Sequence, residues 1–317
     1  MRVLAIDTSC YTTSIALMED NHLLADARKV LTVDKGQRGL RQSEGIFQHT
    51  KNLPSLYHAM KKTQEISPLQ GVAVSVKPRR AENSYMPVFL AGEGMGRVVA
   101  DSLNVQCIQT THQEGHIMAG IWSSQAWQLL NKPFLAVHLS GGTTEILHIS
   151  PQARQFQEQI IGGTLDLHAG QLVDRVGVRL GLDFPCGQAL EHIALKSQNP
   201  IALPVSTKGM HLHFSGVETK AQRMIEAGAN HEDLAAGVFI CIAQTLCQCL
   251  REAMEQTALH DILIVGGVAA NSLIRQHLIK AMQNDCTLHF ANPKYATDNA
   301  VGVACMGIWQ LGGFDAK

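Results

Sequence analysis

The chain has 317 residues, 45% of them hydrophobic and 17% charged, with 26 Lys plus Arg against 27 Asp plus Glu and a formal net charge of −1. That length and apolar content fit two lobes with real cores, and the charge demands no nucleic-acid partner, although a local basic patch would be enough for one. The eight cysteines are scattered, most of them in apolar segments, which fits reduced core thiols better than a disulfide framework; Cys247 and Cys249, two residues apart on a helix, point to different faces, which disfavours a chelating pair.

The N-terminus runs straight into alternating apolar and polar residues, "RVLAIDTS", "TSIALMED" and "HLLADARKVL", read as three strands with a tight turn at Cys10-Tyr11-Thr12. It lacks a signal-peptide layout, and no apolar stretch is read as reaching the ~18 residues a bilayer span requires, so a cytoplasmic protein with no membrane partner is expected. Residues 41–65 read as a helix, 71–76 as a strand, 88–103 as a helix, and 105–109 as a short strand leading into the helix of "THQEGHIMAG". At 135–147, "LAVHLSGGTTEIL" repeats "LAIDTSCYTTSIAL" of 4–17 at a constant offset of 131 residues, which argues for two copies of one supersecondary unit. Residues 165–259 are mostly helical by periodicity. After them come a strand "DILIVGG", a helix from Ala269, a strand "CTLHFA" and a last helix from about Thr297. The expected division is a first lobe over 1–110 and a second over 111–317 with the helical stretch 165–259 inserted in it.

Two glycine turns carry chemistry. Ser140-Gly141-Gly142-Thr143 joins two strands and could bring backbone N–H groups and hydroxyls to a phosphate or carbonyl, or be a plain hairpin turn. Gly266-Gly267 lies between an apolar strand and a helix, where a nucleotide can sit against the backbone, with Asn271 in reach of a ribose or base. Asp174 and Glu191, near Gly187, could hold ribose hydroxyls or be solvated helix residues. His112 and His116 stand i and i+4 on one helical face, within reach of one ion, whereas Glu114 points elsewhere and the order differs from H-E-x-x-H. A third ligand is required. Asp298 supplies a carboxylate that would serve equally as a helix N-cap, and His138, inside an apolar strand, is a further candidate.

Taken together, "LAIDTSC", "HQEGHI", "SGGTT", "DLHAGQLVDR", "FPCGQALE", "HFSG", "GGVAAN" and "TDNA" occur in the order of the tRNA threonylcarbamoyladenosine synthase family, long labelled O-sialoglycoprotein endopeptidase. The chain resembles that family over nearly its whole length, as a diverged paralogue. The resemblance implies an α/β, actin-like ATPase (ASKHA) fold of two ribonuclease-H-like halves with a helical insertion in the second. It implies transfer of a threonylcarbamoyl group from threonylcarbamoyl-AMP to N6 of adenosine 37 in ANN-decoding tRNAs, an acyltransferase activity. It also implies one divalent metal per chain, iron or zinc by its histidine and carboxylate ligands, held by His112, His116 and Asp298. His138 stands where some members place a ligating tyrosine. An adenine nucleotide (threonylcarbamoyl-AMP, or ATP or AMP) would lie along Leu139, Ser140, Gly141, Gly142 and Thr143, with Asp174, Gly187, Glu191 and Asn271 at its nucleoside end. The partners implied are tRNA and either proteins of the same synthesis complex or a second copy of the chain.

The departures from the family pattern cluster on the acidic and phosphate-side positions. Glu-Thr-Ser-Cys-Asp-Glu-Thr becomes Asp7-Thr8-Ser9-Cys10-Tyr11-Thr12-Thr13, and Ser-Gly-Gly-His ends in Thr143. The paired aspartates become Asp166-Leu167, Gly-Glu becomes Gly170-Gln171, and Gly-Gly-Pro becomes Cys186-Gly187-Gln188. A Gly-Pro-Gly-Leu stretch gives way to Lys77-Pro78-Arg79-Arg80-Ala81-Glu82. There Lys77, Arg79 and Arg80 could meet an anionic substrate or form a solvated loop. Two other readings therefore stand beside tRNA modification: transfer of a carbamoyl-type group to a non-tRNA acceptor, and a non-catalytic nucleotide-binding partner protein. The old peptidase label fails because the histidine pair lacks a correctly placed glutamate base.

Overall fold

The computed structural model describes residues 1–9, 11–33, 40–81 and 83–314; Cys10 and Glu82 lie outside the described residues. Contacts divide the chain into two units, the first made of 1–131, 151–156 and 297–317, the second of 132–150 and 157–296.

The first unit holds β1 (Arg2–Asp7), β2 (Thr12–Glu19), β3 (His22–Val30), α1 (Gln42–Thr63), β4 (Gly71–Lys77), α2 (Phe89–Ser102), β5 (Gln106–Thr111) and α3 (His112–Ser124). Its strands lie in the order β3-β2-β1-β4-β5, antiparallel from β3 to β1 and parallel from β1 to β5. Every residue of β1 after Arg2 is buried, as a central strand covered on both faces must be. Leu4, Ile6, Ile15, Leu17, Val72 and Val74 form one core with Leu53 and Met60 of α1 and Ala100 of α2.

The second unit holds β6 (Phe134–Leu139), β7 (Thr144–Gln152), β8 (Gln155–Thr164), α4 (Ala169–Arg179), α5 (Gly187–Ala194), β9 (Thr207–Lys208), β10 (His211–Leu212), α6 (Ser215–Glu226), α7 (His231–Thr257), β11 (Asp261–Val265), α8 (Ser272–Met282) and β12 (Thr287–Phe290). The tip of the β7–β8 hairpin, 151–156, is counted with the first unit. The sheet order β12-β11-β6-β7-β8-β10-β9 contains the first sheet's order, extended by the short β10 and β9. The repeat is kept in register: Leu4 pairs Leu17 and Ala5 pairs Ala16 in one sheet, Leu135 pairs His148 and Ala136 pairs Leu147 in the other, each shifted by 131. Asp7 and His138 thus occupy equivalent strand ends, facing Ser14 and Glu145 in the ladders.

Contacts group α3 and α9 (Val301–Gln310) with the first sheet, differently from a split after residue 110. The reason is backbone packing: a Cβ at Gly302 of α9 would lie 1.8 Å from the Gly115 carbonyl oxygen of α3, so only glycine lets these helices approach so closely. The structure amends two expectations, the start of the last helix and the apolarity of α7. The last helix begins at Val301 rather than near 297, because Asn299 Oδ1 accepts the N–H groups of Val301 and Gly302. Finally, α7 does contain an 18-residue window of mean hydropathy 1.6, contrary to the expectation that no segment is that apolar. Its window is 78% buried, and Leu234, Val238, Phe239, Ile242 and Leu246 sit in the second unit's core. A helix apolar all round is what a unit's central helix requires.

Candidate metal centre and nucleotide site

α3 starts where β5 ends. Thr111 caps it: its Oγ1 accepts the Glu114 N–H at 3.2 Å while Glu114 Oε2 accepts the Thr111 N–H at 2.9 Å, a reciprocal capping box. Residues Gln113 to Ile121 are all buried, so the first turn is fixed by its surroundings. That turn presents His112 and His116 on one side, their Nε2 atoms 3.0 Å apart. Asp298 Oδ1 lies 3.5 Å from each of them. With Asn299 Oδ1 accepting the first N–H groups of α9, the Asp298 carboxylate faces the two histidines rather than the helix start.

The three donor atoms lie within 4.8 Å of one another and are, among the described residues, the one group of His, Cys and acidic side chains so placed. Their spacing fits one small cation: metal–ligand bonds of about 2.1 Å give ligand–ligand edges of about 3.0 Å at right angles and about 3.4 Å in a tetrahedron. Asp7, which sequence reasoning missed, completes the arrangement. Its Oδ2 is 2.9 Å from His112 Nδ1, leaving Nε2 turned to Asp298 and His116; a carboxylate behind a ligating imidazole fixes its tautomer and orientation. The signal in the sequence was an acidic residue closing the apolar run Val3–Ile6 of a buried strand. The electrostatics agree. Burial opposes charge on His112, but Asp7 and Asp298 outweigh it and hold His112 well above the usual histidine range. Burial and the neighbouring His112 charge push His116 down. Burial would raise the Asp298 carboxyl, yet the bonds and charges of His112 and His116 keep it far below the usual carboxylate range. Asp7 and Asp298 thus favour positive charge on His112, while His116 is disfavoured as a second protonated ring.

His138 lies on β6 in the second unit, buried. Of the basic run, Arg80 does not stand free for an anion. Its Nε and Nη2 donate to the fully buried Glu114 carboxylate at 2.9 and 3.2 Å, because that carboxylate must be neutralised. Arg79 N–H donates to Ser84 Oγ, and Lys77 ends β4 paired with Thr111.

The expected nucleotide positions all fall in the second unit, where they form a closed ring. Ser140 N–H donates to Thr143 O at 2.8 Å, closing the turn. Gly170 N–H donates to Ser140 O at 3.3 Å and Ala169 N–H to Thr144 Oγ1 at 2.8 Å, which seats the start of α4 on that turn. One helical turn on, Asp174 Oδ1 accepts the Cys186 N–H at 2.8 Å just before Gly187 opens α5. One turn further, Glu191 Oε1 accepts the Ser272 N–H at 2.7 Å and its hydroxyl at 2.5 Å. Asn271 caps α8 by accepting the Ile274 N–H at 3.0 Å, and its Nδ2 is buried without a hydrogen-bond partner. Gly266, at φ +101°, returns the ring to β6: a Cβ there would lie 2.2 Å from Leu139 O. Asp174 and Glu191 are therefore not solvated helix residues. Burial raises the Asp174 carboxyl, only partly offset by the Cys186 N–H. A Cβ at Gly141, Gly142 or Gly187 would meet nothing within 4 Å, so the space beside these three glycines is open, although the Gly141 backbone itself packs on Gly170. Asp166 is structural. It accepts the N–H groups of Leu167, Phe214 and Ser215 and the Ser215 hydroxyl, capping α6.

The family model TsaD, tRNA N6-adenosine threonylcarbamoyltransferase, matches residues 37–305. The probable bifunctional tRNA threonylcarbamoyladenosine biosynthesis protein of Methanothermobacter thermautotrophicus is 29% identical over 332 residues, covering 100% of this chain; the chain spans 57% of that relative's length. HypF of T. kodakarensis superposes with a TM-score of 0.62 at 15% identity over 99% of this chain and 48% of that one. Component A of the (R)-2-hydroxyglutaryl-CoA dehydratase of Acidaminococcus fermentans gives 0.57 at 15% identity over 96% of both chains. A ROK family glucokinase of Streptomyces griseus gives 0.53 at 10% identity over 96% of this chain and 98% of that one. These neighbours show the actin-like ATPase fold that the duplicated sheet order implies. With that fold, and with the family model matched across both units, the chain belongs to the TsaD family of tRNA N6-adenosine threonylcarbamoyltransferases.

Proposed function

We propose that the protein is a metal-dependent acyltransferase that moves a threonylcarbamoyl group from threonylcarbamoyl-AMP to N6 of adenosine 37 in tRNA. The observation that carries this reading is the His112, His116 and Asp298 triangle, with Asp7 behind His112, in a chain that matches the family over both units. A divalent ion, iron or zinc, would be held by these three side chains, and His138 remains a proposed further ligand. When bound, the metal supplies Lewis-acid polarisation and stabilises the charge that develops as AMP departs.

The chain's own residues do the rest. Asp7 holds His112 in one tautomer. The exposed turn at Gly141 and Gly142 leaves room for a phosphate beside its backbone. Asp174, Glu191 and the unpartnered Asn271 amide hold the nucleoside end, while Leu139, Ser140, Thr143 and Gly187 shape the ring they sit on. In the reaction the bond between the carbamoyl carbon and the phosphate oxygen breaks, a new bond forms to N6, and the displaced amine proton passes to solvent. A second reading, transfer to a non-tRNA acceptor, is favoured by one feature: the family's acidic pair is replaced by Thr12 and by Tyr11, which is exposed.

The test is direct. Metal-loaded protein incubated with threonylcarbamoyl-AMP and an unmodified ANN-decoding tRNA should yield threonylcarbamoyladenosine, read by mass spectrometry of the digested tRNA, and H112A should abolish it. Metal-loaded, nucleotide-binding protein that modifies no tRNA, with or without the partner proteins of the synthesis complex, would sink the reading. Turnover of the adenylate with a small acceptor would then favour the second one.

A further inference from the structure

The basic run 77–80 does not hang in solvent; it is laid along the first turn of α3. Lys77 is in ladder register with Thr111, the cap of that helix. Pro78 O accepts the Gln113 N–H at 3.0 Å, satisfying one of the donors a helix start leaves open. Arg80 forms a two-pronged ion pair with Glu114, whose carboxylate is fully buried while the Arg80 side chain keeps 31% of its surface exposed. Glu114 sits midway between His112 and His116, two residues from each, so at 100° per residue it points away from both. A pull on Glu114 therefore sets the rotation of the turn that aims the two imidazoles. Glu114 is also the N3 partner of the capping box, so one carboxylate couples the loop, the helix start and the histidine pair.

From this we propose that Arg80 is a positioning residue of the metal centre: through Glu114 it fixes the rotation and axial place of the α3 first turn, and so the angle at which His112 and His116 meet the ion. This rests on reading His112, His116 and Asp298 as metal ligands. A planar guanidinium forked on a carboxylate suits this role because it fixes direction as well as distance, which a lysine ammonium does not.

The test uses the full chain and Co(II) as probe, reading its dissociation constant by titration and its visible absorption band, which reports ligand geometry. Folding is followed separately by circular dichroism without metal. R80M leaves the buried Glu114 carboxylate without its cation and would weaken folding as well as the site, so the deciding variant is the double substitution R80M/E114Q. The glutamine keeps a capping-box acceptor at N3 and removes the buried charge. The double variant is expected to melt close to wild type, to bind Co(II) 10- to 100-fold more weakly, the usual range for partners behind metal ligands, and to show a shifted band. R80K, which keeps the charge without the fork, should fall between. A double variant that binds Co(II) within twofold of wild type with an unchanged band overturns the positioning role while leaving the metal reading intact. Wild-type protein that takes up no Co(II), Fe(II) or Zn(II) overturns both.

Discussion

Replacing Gly302 with alanine tests whether the α3–α9 contact builds the metal triangle. The new Cβ would start 1.8 Å from the Gly115 carbonyl oxygen, 2.7 Å from its carbon and 2.8 Å from the Ala119 nitrogen. All of these are backbone atoms, so no side chain can turn aside. Carbon–oxygen contacts settle near about 3.3 Å, so the helices must part by about 1.5 Å. Helix propensity alone predicts the opposite sign, a gain of about 1 kcal/mol for alanine over glycine inside a helix. Forced overpacking costs about 1–3 kcal/mol, and here it falls on backbone, so a net loss of about 2 kcal/mol is expected. The metal centre should suffer more than the fold. His112 and His116 ride on α3, and Asp298 lies three residues ahead of α9. Metal sites tolerate ligand shifts of only about 0.2 Å, so a separation several times larger removes one of three ligands and should weaken binding at least about 100-fold. Urea unfolding reads the first quantity, and calorimetric titration of the folded variant with Zn(II) reads the second. Unchanged or increased stability, or metal affinity within threefold of wild type, would show that the approach of these helices does not set the site.

D7N keeps an acceptor for the Ser9 N–H but puts an amide opposite His112 Nδ1. Metal affinity should fall about 10- to 100-fold with the fold retained, and equal affinity by titration would remove Asp7 from the site. N271S preserves the α8 cap, serine being a good N-cap, but removes the buried amide donor. Stability should stay within about 0.5 kcal/mol while AMP binding weakens about five- to tenfold; unchanged calorimetric affinity would separate Asn271 from the ligand. For Asp166, burial raises the carboxyl, but the bonds from Ser215, Phe214 and Leu167 outweigh it and lower it to about 2. A carboxyl depressed in the folded state stabilises fully above its unfolded value near ~3.9 and loses that contribution as pH falls toward about 2. The group is largely exposed, so the contribution is about 1 kcal/mol after solvent screening. D166N should therefore cost about 1 kcal/mol at pH 7 and progressively less below pH 4, by urea unfolding; a cost independent of pH would refute the assignment.

The repeat and most elements were legible because they rest on local periodicity. The 131-residue offset in composition became the same ladder register in both sheets. The second sheet's outer strand β8 escaped, since its burial alternates irregularly and its residues are mixed. The strands β10 and β9 that end this sheet are two residues long, too short for any period. At the sites, residue types and spacing gave the histidine pair and the glycine turns, but not who pairs with whom. Arg80 in a basic run looks like an anion contact until the fold places a buried Glu114 beside it. Asp174 and Glu191 look like surface carboxylates until Cys186 and Ser272 turn their N–H groups to them.

The duplication explains why such partners are invisible in one copy and expected in two. Residues 9 and 12 of the first turn and 140 and 143 of the second are the same pair, and both close their turns by a backbone bond. The donor is reversed: Thr12 N–H gives to Ser9 O, whereas Ser140 N–H gives to Thr143 O. Reversal changes which backbone atoms are consumed. In the first turn the pair is joined at 3.4 Å, and the polar group that serves the site comes from the strand before it, Asp7 on His112. In the second the bond is 2.8 Å, and between its ends stand two exposed glycines, the first of them backed by Gly170 of α4. One repeated strand-turn-strand thus places a side-chain carboxylate beside His112 in the first unit and an exposed glycine turn in the second, the positions to which the proposed function assigns cation and phosphate. Tyr11 and Thr12 lie outside the His112, His116 and Asp298 group, so under the proposed function the replacement of the acidic pair should appear in the choice of acceptor rather than in metal binding.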